Sequence, residues 1–180
     1  MEDKDGAGTS QANILCKACG LCCTGHLFVW AKLRPAELDP AEALGLTVFR
    51  SDPRQRGFSQ PCPVWRGQCT VYDSPHYPHV CRAYQCKLLK EVIRENTSLS
   101  EALMLIEQTK GMIWEVESRL PISRSKNFRE RLVTYLEEAN ESAGQDEVEI
   151  ALRQQAAILL SIYEQVFGVD DLVERADDTE

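Results

Sequence analysis

All eight cysteines of this 180-residue chain fall between positions 16 and 86, and nothing after Cys86 carries a thiol. Thiolates are soft, strong metal ligands and reactive nucleophiles, so clustering of this kind points to metal coordination or thiol redox chemistry. The first group reads Cys16-Lys17-Ala18-Cys19-Gly20-Leu21-Cys22-Cys23. Two residues between cysteines let one tight turn aim both sulfurs at a single ion, and Gly20 supplies the permissive backbone such a turn needs. Cys16, Cys19 and Cys22 match the first three ligands of a bacterial ferredoxin, and Cys62-Pro63 has the local look of the fourth. The adjacent Cys23 and the lack of cysteine from 24 to 61 break that spacing, so ferredoxin itself is rejected.

The second group is Cys62, Cys69, Cys81 and Cys86. Arg66-Gly67 lies between two short apolar stretches, which predicts a small hairpin with Cys62 and Cys69 facing each other across it. Pro78 is placed to open a helix carrying Cys81 and Cys86. Five residues apart is not a same-face helical spacing, which implies a distorted first turn or ligation of different metals.

Eight thiolates permit two four-sulfur sites. Residues 16–86 carry eight Lys or Arg and five Asp or Glu, a surplus of +3 before any thiol ionises. A divalent zinc or a cluster core of charge about +2 held by four thiolates leaves about -2 per site, so the basic surplus nearly offsets two sites. Arg50, Arg54, Arg56, Arg66 and Arg82 are candidates to donate hydrogen bonds to metal-bound sulfur, against the plainer reading of a solvated basic surface. Neighbouring side chains diverge, so Cys22 and Cys23 serve two metals or leave one spare thiol. His26, His76 and His79 are surface or capping residues unless they replace a sulfur.

These residues resemble the CxxCxxCC family, the YkgJ-like cysteine cluster proteins described as zinc- or iron-chelating domains. The matching positions are Cys16, Cys19, Gly20, Cys22 and Cys23, then Cys62, Pro63, Cys69 and Tyr72, then Pro78, Cys81, Arg82, Tyr84 and Cys86. The chain departs from the pattern at Tyr77, where the family often has Arg, and by two or three extra residues after Tyr72. The resemblance covers residues 16–86 and implies zinc or an iron-sulfur cluster held by Cys16, Cys19, Cys22, Cys23, Cys62, Cys69, Cys81 and Cys86. A related domain occurs in flagellin lysine N-methylases, which raises a methyltransferase as an alternative. Against it, those proteins are longer, and no glycine-rich nucleotide loop follows a strand here.

The elements that must position the thiols are mainly α-helical. Residues 1–13 are polar and acidic and read as disordered, and 14–90 as a cysteine-cluster module with a short β-hairpin. A helical region of about four helices follows to 168 and packs on the module, and 169–180 form an acidic tail. Within the module, 26–30 read as a strand, and 35–38 and 40–44 as helical turns begun by proline. The first long helix is expected from Pro78 to about Glu95. The second follows the capping box Ser98-Leu99-Ser100-Glu101, with Leu99, Leu103, Ile106, Ile113, Val116 and Leu120 on one stripe that Leu105, Met112 and Trp114 widen. The third covers about 127–139, with Phe128, Leu132, Tyr135, Leu136 and Ala139 inward. The fourth covers about 146–167, with Val148, Leu152, Ala156, Leu159, Tyr163 and Val166 inward and Gly168 as its stop.

The chain is acidic, 28 Asp plus Glu against 20 Lys plus Arg, and residues 91–180 alone carry a net -11. That charge argues against a nucleic-acid partner. The longest apolar run, 156–160, is too short for a membrane span, and the acidic start lacks the charge and apolar run of a secretory signal, so a cytoplasmic location is expected. The leading expectation is a cytoplasmic metal-binding protein, accessory or electron-transferring, whose helical region meets a protein partner. The alternatives are a cluster-dependent enzyme, whether a protein lysine N-methyltransferase or a thiol oxidoreductase, and a disulfide-stapled binding module. No catalytic residue is identified, because no Ser, His and Asp arrangement stands out and the strand-helix alternation of thioredoxin is absent.

Overall fold

Where capping residues and apolar spacing agree, the chain is helical. The computed structural model describes residues 5–123, 127–141 and 146–169. It is mainly α, with helices α1 (Asp5–Cys19), α2 (Leu38–Ala43), α3 (His79–Ala83), α4 (Lys87–Ile93), α5 (Leu99–Glu117), α6 (Phe128–Glu141) and α7 (Glu147–Ile162). The strands are β1 (Trp30–Lys32), β2 (Val48–Phe49) and β3 (Gly57–Ser59). Among the described residues no helix is long and apolar enough to cross a membrane.

Contacts divide the chain into two units. One joins α1 to the chain from Cys86 onward; the other holds Gly20–Gln85. The helical unit thus includes Cys16, Cys19 and Cys86.

In the helical unit α1 packs against α4 and α5, burying Leu15. Lys110 Nζ on α5 donates to the carbonyl of Ala18 at 2.9 Å, satisfying an orphan acceptor in the last turn of α1. Helix α1 is described from Asp5, and its observed packing lies in its second half, at Leu15 and Ala18. Residues 1–4 lie outside the described residues.

The single helix expected from Pro78 to Glu95 is two helices. Tyr84 is extended at φ -69°, ψ 129°, and Cys86 is the N-cap of α4, its Sγ accepting from Leu89 N–H at 3.4 Å. An N-cap needs non-helical backbone, so Cys81 and Cys86 sit on separate elements and the awkward five-residue spacing disappears.

The capping box of α5 forms as read: Ser98 Oγ accepts from Glu101 N–H at 3.3 Å, and Glu101 Oε2 accepts from Ser98 N–H at 2.9 Å. The buried stripe is Ala102, Ile106, Thr109, Ile113 and Val116, with Leu99 and Leu103 only half-buried. Trp114 does not widen it, being 73% exposed. Helix α6 starts at Asn127, whose Oδ1 accepts from Glu130 N–H at 3.2 Å. It buries Phe128 and Leu132; the side chain expected inward at Ala139 lies outside those described.

Helix α7 is capped by Asp146 and buries Leu152, Ala156 and Leu159. Val148 is 65% exposed, contrary to expectation, since it lies in the first turn. A π turn over Tyr163–Phe167 then adds a residue to the repeat, so Phe167 rather than Val166 is buried before Gly168 ends the element. The acidic tail beyond 169 lies outside the described residues.

In the unit Gly20–Gln85 the three strands form an antiparallel sheet in the order β1-β3-β2. Its apolar core is Leu33, Ala41, Leu46 and Phe58. Gly57 in the middle strand leaves room for the Trp30 ring, which crosses to Phe49 in an edge contact at 5.6 Å. The strand expected over 26–30 begins only at Trp30, because residues 21–25 turn back on themselves through His26 N–H and Leu27 N–H to the carbonyl of Leu21. The expected helical turns survive as a 3-10 turn, Pro35–Glu37, leading into α2.

Candidate metal centre

The turn carrying Cys22 and Cys23 is held locally. Thr24 N–H and Thr24 Oγ1 both donate to the carbonyl of Gly20, at 2.9 and 3.0 Å, and Thr24 Oγ1 pairs with His26 Nδ1 at 2.6 Å. Gly20 is required twice over. Its φ is +69°, and a Cβ there would run into the ring of Trp65. Trp65 belongs to the second cysteine group, so this contact joins the two groups within one unit. A second link is the hydrogen bond from Cys62 N–H to the carbonyl of Cys23, 2.7 Å.

Cys62 follows the cis peptide Gln60-Pro61 and, like Cys81, packs against the apolar core of its unit. The expected hairpin reduces to one antiparallel bridge, Trp65 with Cys69, closed by Gly67 at φ +76°. Burial pushes the Cys62 thiol up and the nearby Cys69 adds to this, while main-chain N–H groups of Val64 and Trp65 act in the opposite sense. The loop after Cys69 is braced by Tyr72 against Tyr77, ring centroids 5.2 Å apart, and by the Arg82 guanidinium over the Tyr77 ring at 5.3 Å. Tyr77, the departure from the family pattern, thus anchors this loop to α3.

The helical unit carries the other three cysteines. Cys16 and Cys19 lie three residues apart in the last turn of α1, Cys16 exposed and Cys19 half-buried. Burial also raises the Cys86 thiol, opposed by the N–H groups of Leu89 and Leu88 and by the charge of Lys90. Cys62 and Cys86, each within its own unit, therefore have alike settings: a half-buried sulfur facing main-chain donors that favour its anion. A bound cation would complete that balance, since the donors alone do not overcome desolvation.

The eight thiols fit zinc or iron-sulfur in donor chemistry. None is in a disulfide, and among the described residues no three His, Cys, Asp or Glu side chains converge as a metal-holding group. Cys22, Cys23, Cys62, Cys69 and Cys81 lie in one unit and Cys16, Cys19 and Cys86 in the other.

The arginines are used elsewhere than expected. Arg50 bonds Asp39 and Glu42 at 2.6 and 2.7 Å, and Arg54 pairs with Asp52 at 3.8 Å. Arg56 donates to the carbonyl of Pro53, Arg66 to that of Trp65, and Arg82 lies over Tyr77. Main-chain N–H groups act on sulfur instead. The readable signal for this was a cysteine just before a turn or an apolar helix, Cys62-Pro63 and Cys86-Lys87-Leu88-Leu89. His76 and His79 are held through their main-chain N–H groups, by Ser74 Oγ and Glu37 Oε1. No family model matches the chain, and no curated protein or solved structure does either.

Proposed function

We propose that this is a cytoplasmic metal-binding protein of the CxxCxxCC type, holding zinc or an iron-sulfur cluster through cysteine thiolates. The observation that carries this reading is the setting of Cys62, a half-buried sulfur beside Cys69 that faces main-chain N–H donors. Desolvation keeps such a thiol protonated on its own, whereas a cation bound to it turns the same donors into partners of a thiolate. Zinc closed by four thiolates would make the module structural, and an iron-sulfur cluster would supply electron transfer. The helical unit would meet a protein partner, a role supported by the exposure of Met104 and Trp114 on α5.

Anaerobic purification followed by metal analysis and a visible spectrum tests the proposal. A brown protein bleached by dithionite is an iron-sulfur protein, and a colourless one carrying stoichiometric zinc is a zinc protein. A protein that takes up neither metal, with all eight thiols open to alkylation, would overturn it.

A further inference from the structure

Apart from the thiols, the unit Gly20–Gln85 contains a groove of about 570 Å³, within the usual size range of small-ligand clefts. Its lining is largely apolar and includes Leu33, Val80 and Tyr84. The Tyr84 ring is fixed by an edge contact with Phe28, centroids 5.2 Å apart at 90°. Three cationic side chains line the groove: Lys32, Arg34 and Arg56.

No carboxylate pairs with these three cations among the described residues. The one acid in the lining, Glu37, has both oxygens held by the main chain, Oε2 by Arg34 N–H at 2.8 Å and Oε1 by His79 N–H at 2.7 Å. Arg56 is oriented by its Nε bond to the carbonyl of Pro53, 2.8 Å. With His79 neutral the lining carries a net +2 in a chain whose net charge is -8.

We infer that this groove binds a small phosphate monoester with an aromatic or apolar body. A monoester carries about -1.5 to -2 at neutral pH, which complements the lining charge. Guanidinium groups bind phosphate oxygens by charge-assisted hydrogen bonds, while the body covers Leu33 and Val80 and lies beside Tyr84.

The test uses 1-naphthyl phosphate titrated into the full chain as purified, with 1-naphthol and inorganic phosphate as separate arms. Saturable one-to-one binding of the ester is expected, with each partial ligand at least about tenfold weaker. Lys32→Ala and Arg34→Ala should each weaken the ester about tenfold, and Lys32→Glu with Arg34→Glu should abolish binding. Both residues are exposed, so circular dichroism and metal content should not change. Ala83→Trp, on α3 at the groove, should block the ester without reversing any charge. Absence of saturable binding, equal binding of 1-naphthol, or binding that survives the charge reversal would each overturn the inference.

Discussion

At the scale of single residues, the physics acting on the cysteines is a contest between desolvation and hydrogen bonding. Burial raises Cys62 and Cys86, and main-chain donors oppose it only in part. A metal must displace the thiol protons, so its retention falls as pH falls and rises as pH rises. A pH titration of metal content should show loss on the acid side, and Cys62→Ser should retain less metal than wild type at every pH, a hydroxyl being a harder and much less acidic ligand. Unchanged stoichiometry in Cys62→Ser would remove that residue from the ligand set. Tyr163 offers a contrasting case away from the thiols. Its hydroxyl is buried without a hydrogen-bond partner among the described residues, and burial pushes its acidity well down. Tyr163→Phe should therefore leave stability unchanged or raise it by up to about 1 kcal/mol in urea unfolding; a clear loss would reveal a partner for the hydroxyl.

At the scale of elements, helices begin where a side chain replaces the missing main-chain acceptor. Ser98→Ala removes the cap of α5 and should cost about 1 kcal/mol, read as a lower denaturant midpoint at constant slope. The reciprocal partner makes the cap pH-dependent. Hydrogen bonds from Ser98 hold the Glu101 carboxyl below its ordinary range, so its contribution is present above the unfolded-state value and is lost as pH falls through the lower folded value. The stability difference between wild type and Glu101→Gln should accordingly shrink in acid. Cys86 shows the same capping logic with sulfur as acceptor. The break in the expected helix falls at the extended Tyr84 and the capping Cys86, and apolar spacing across 78–95 does not announce it.

At the scale of the whole molecule, the two units draw on different sources of stability. The helical unit buries long side chains at regular spacing, including Leu132 and Leu159 at 0% exposure. The unit Gly20–Gln85 buries Leu21, Leu27, Leu33, Ala41, Leu46 and Phe58 among its apolar side chains and has strands of two or three residues. Small cores need a supplementary staple, and a structural metal can supply about 10 kcal/mol or more. Chelation should therefore expose residues 20–85 to protease first, while α5 and α7 stay protected. Equal resistance of both segments before and after chelation would rule out a structural metal.

The sequence by itself determined what depends on residue type and short spacing. The cysteine groups, the capping box at Ser98, the stop at Gly168 and the mainly helical class were all legible, because each rests on chemistry within a few residues. Tertiary structure decided the rest. Helix α1 packs against α4 and α5, which are distant in the chain, and the crossing of Trp30 over Gly57 joins strands far apart in the chain. The π turn that turns Phe167 inward and the exposure of Trp114 depend on neighbours that periodicity cannot see. The same holds at the candidate site. The thiols could be named from their spacing, but desolvation of Cys62 and Cys86 and the link from Cys23 to Cys62 are set by which surfaces the folded chain brings together, and no local pattern encodes that.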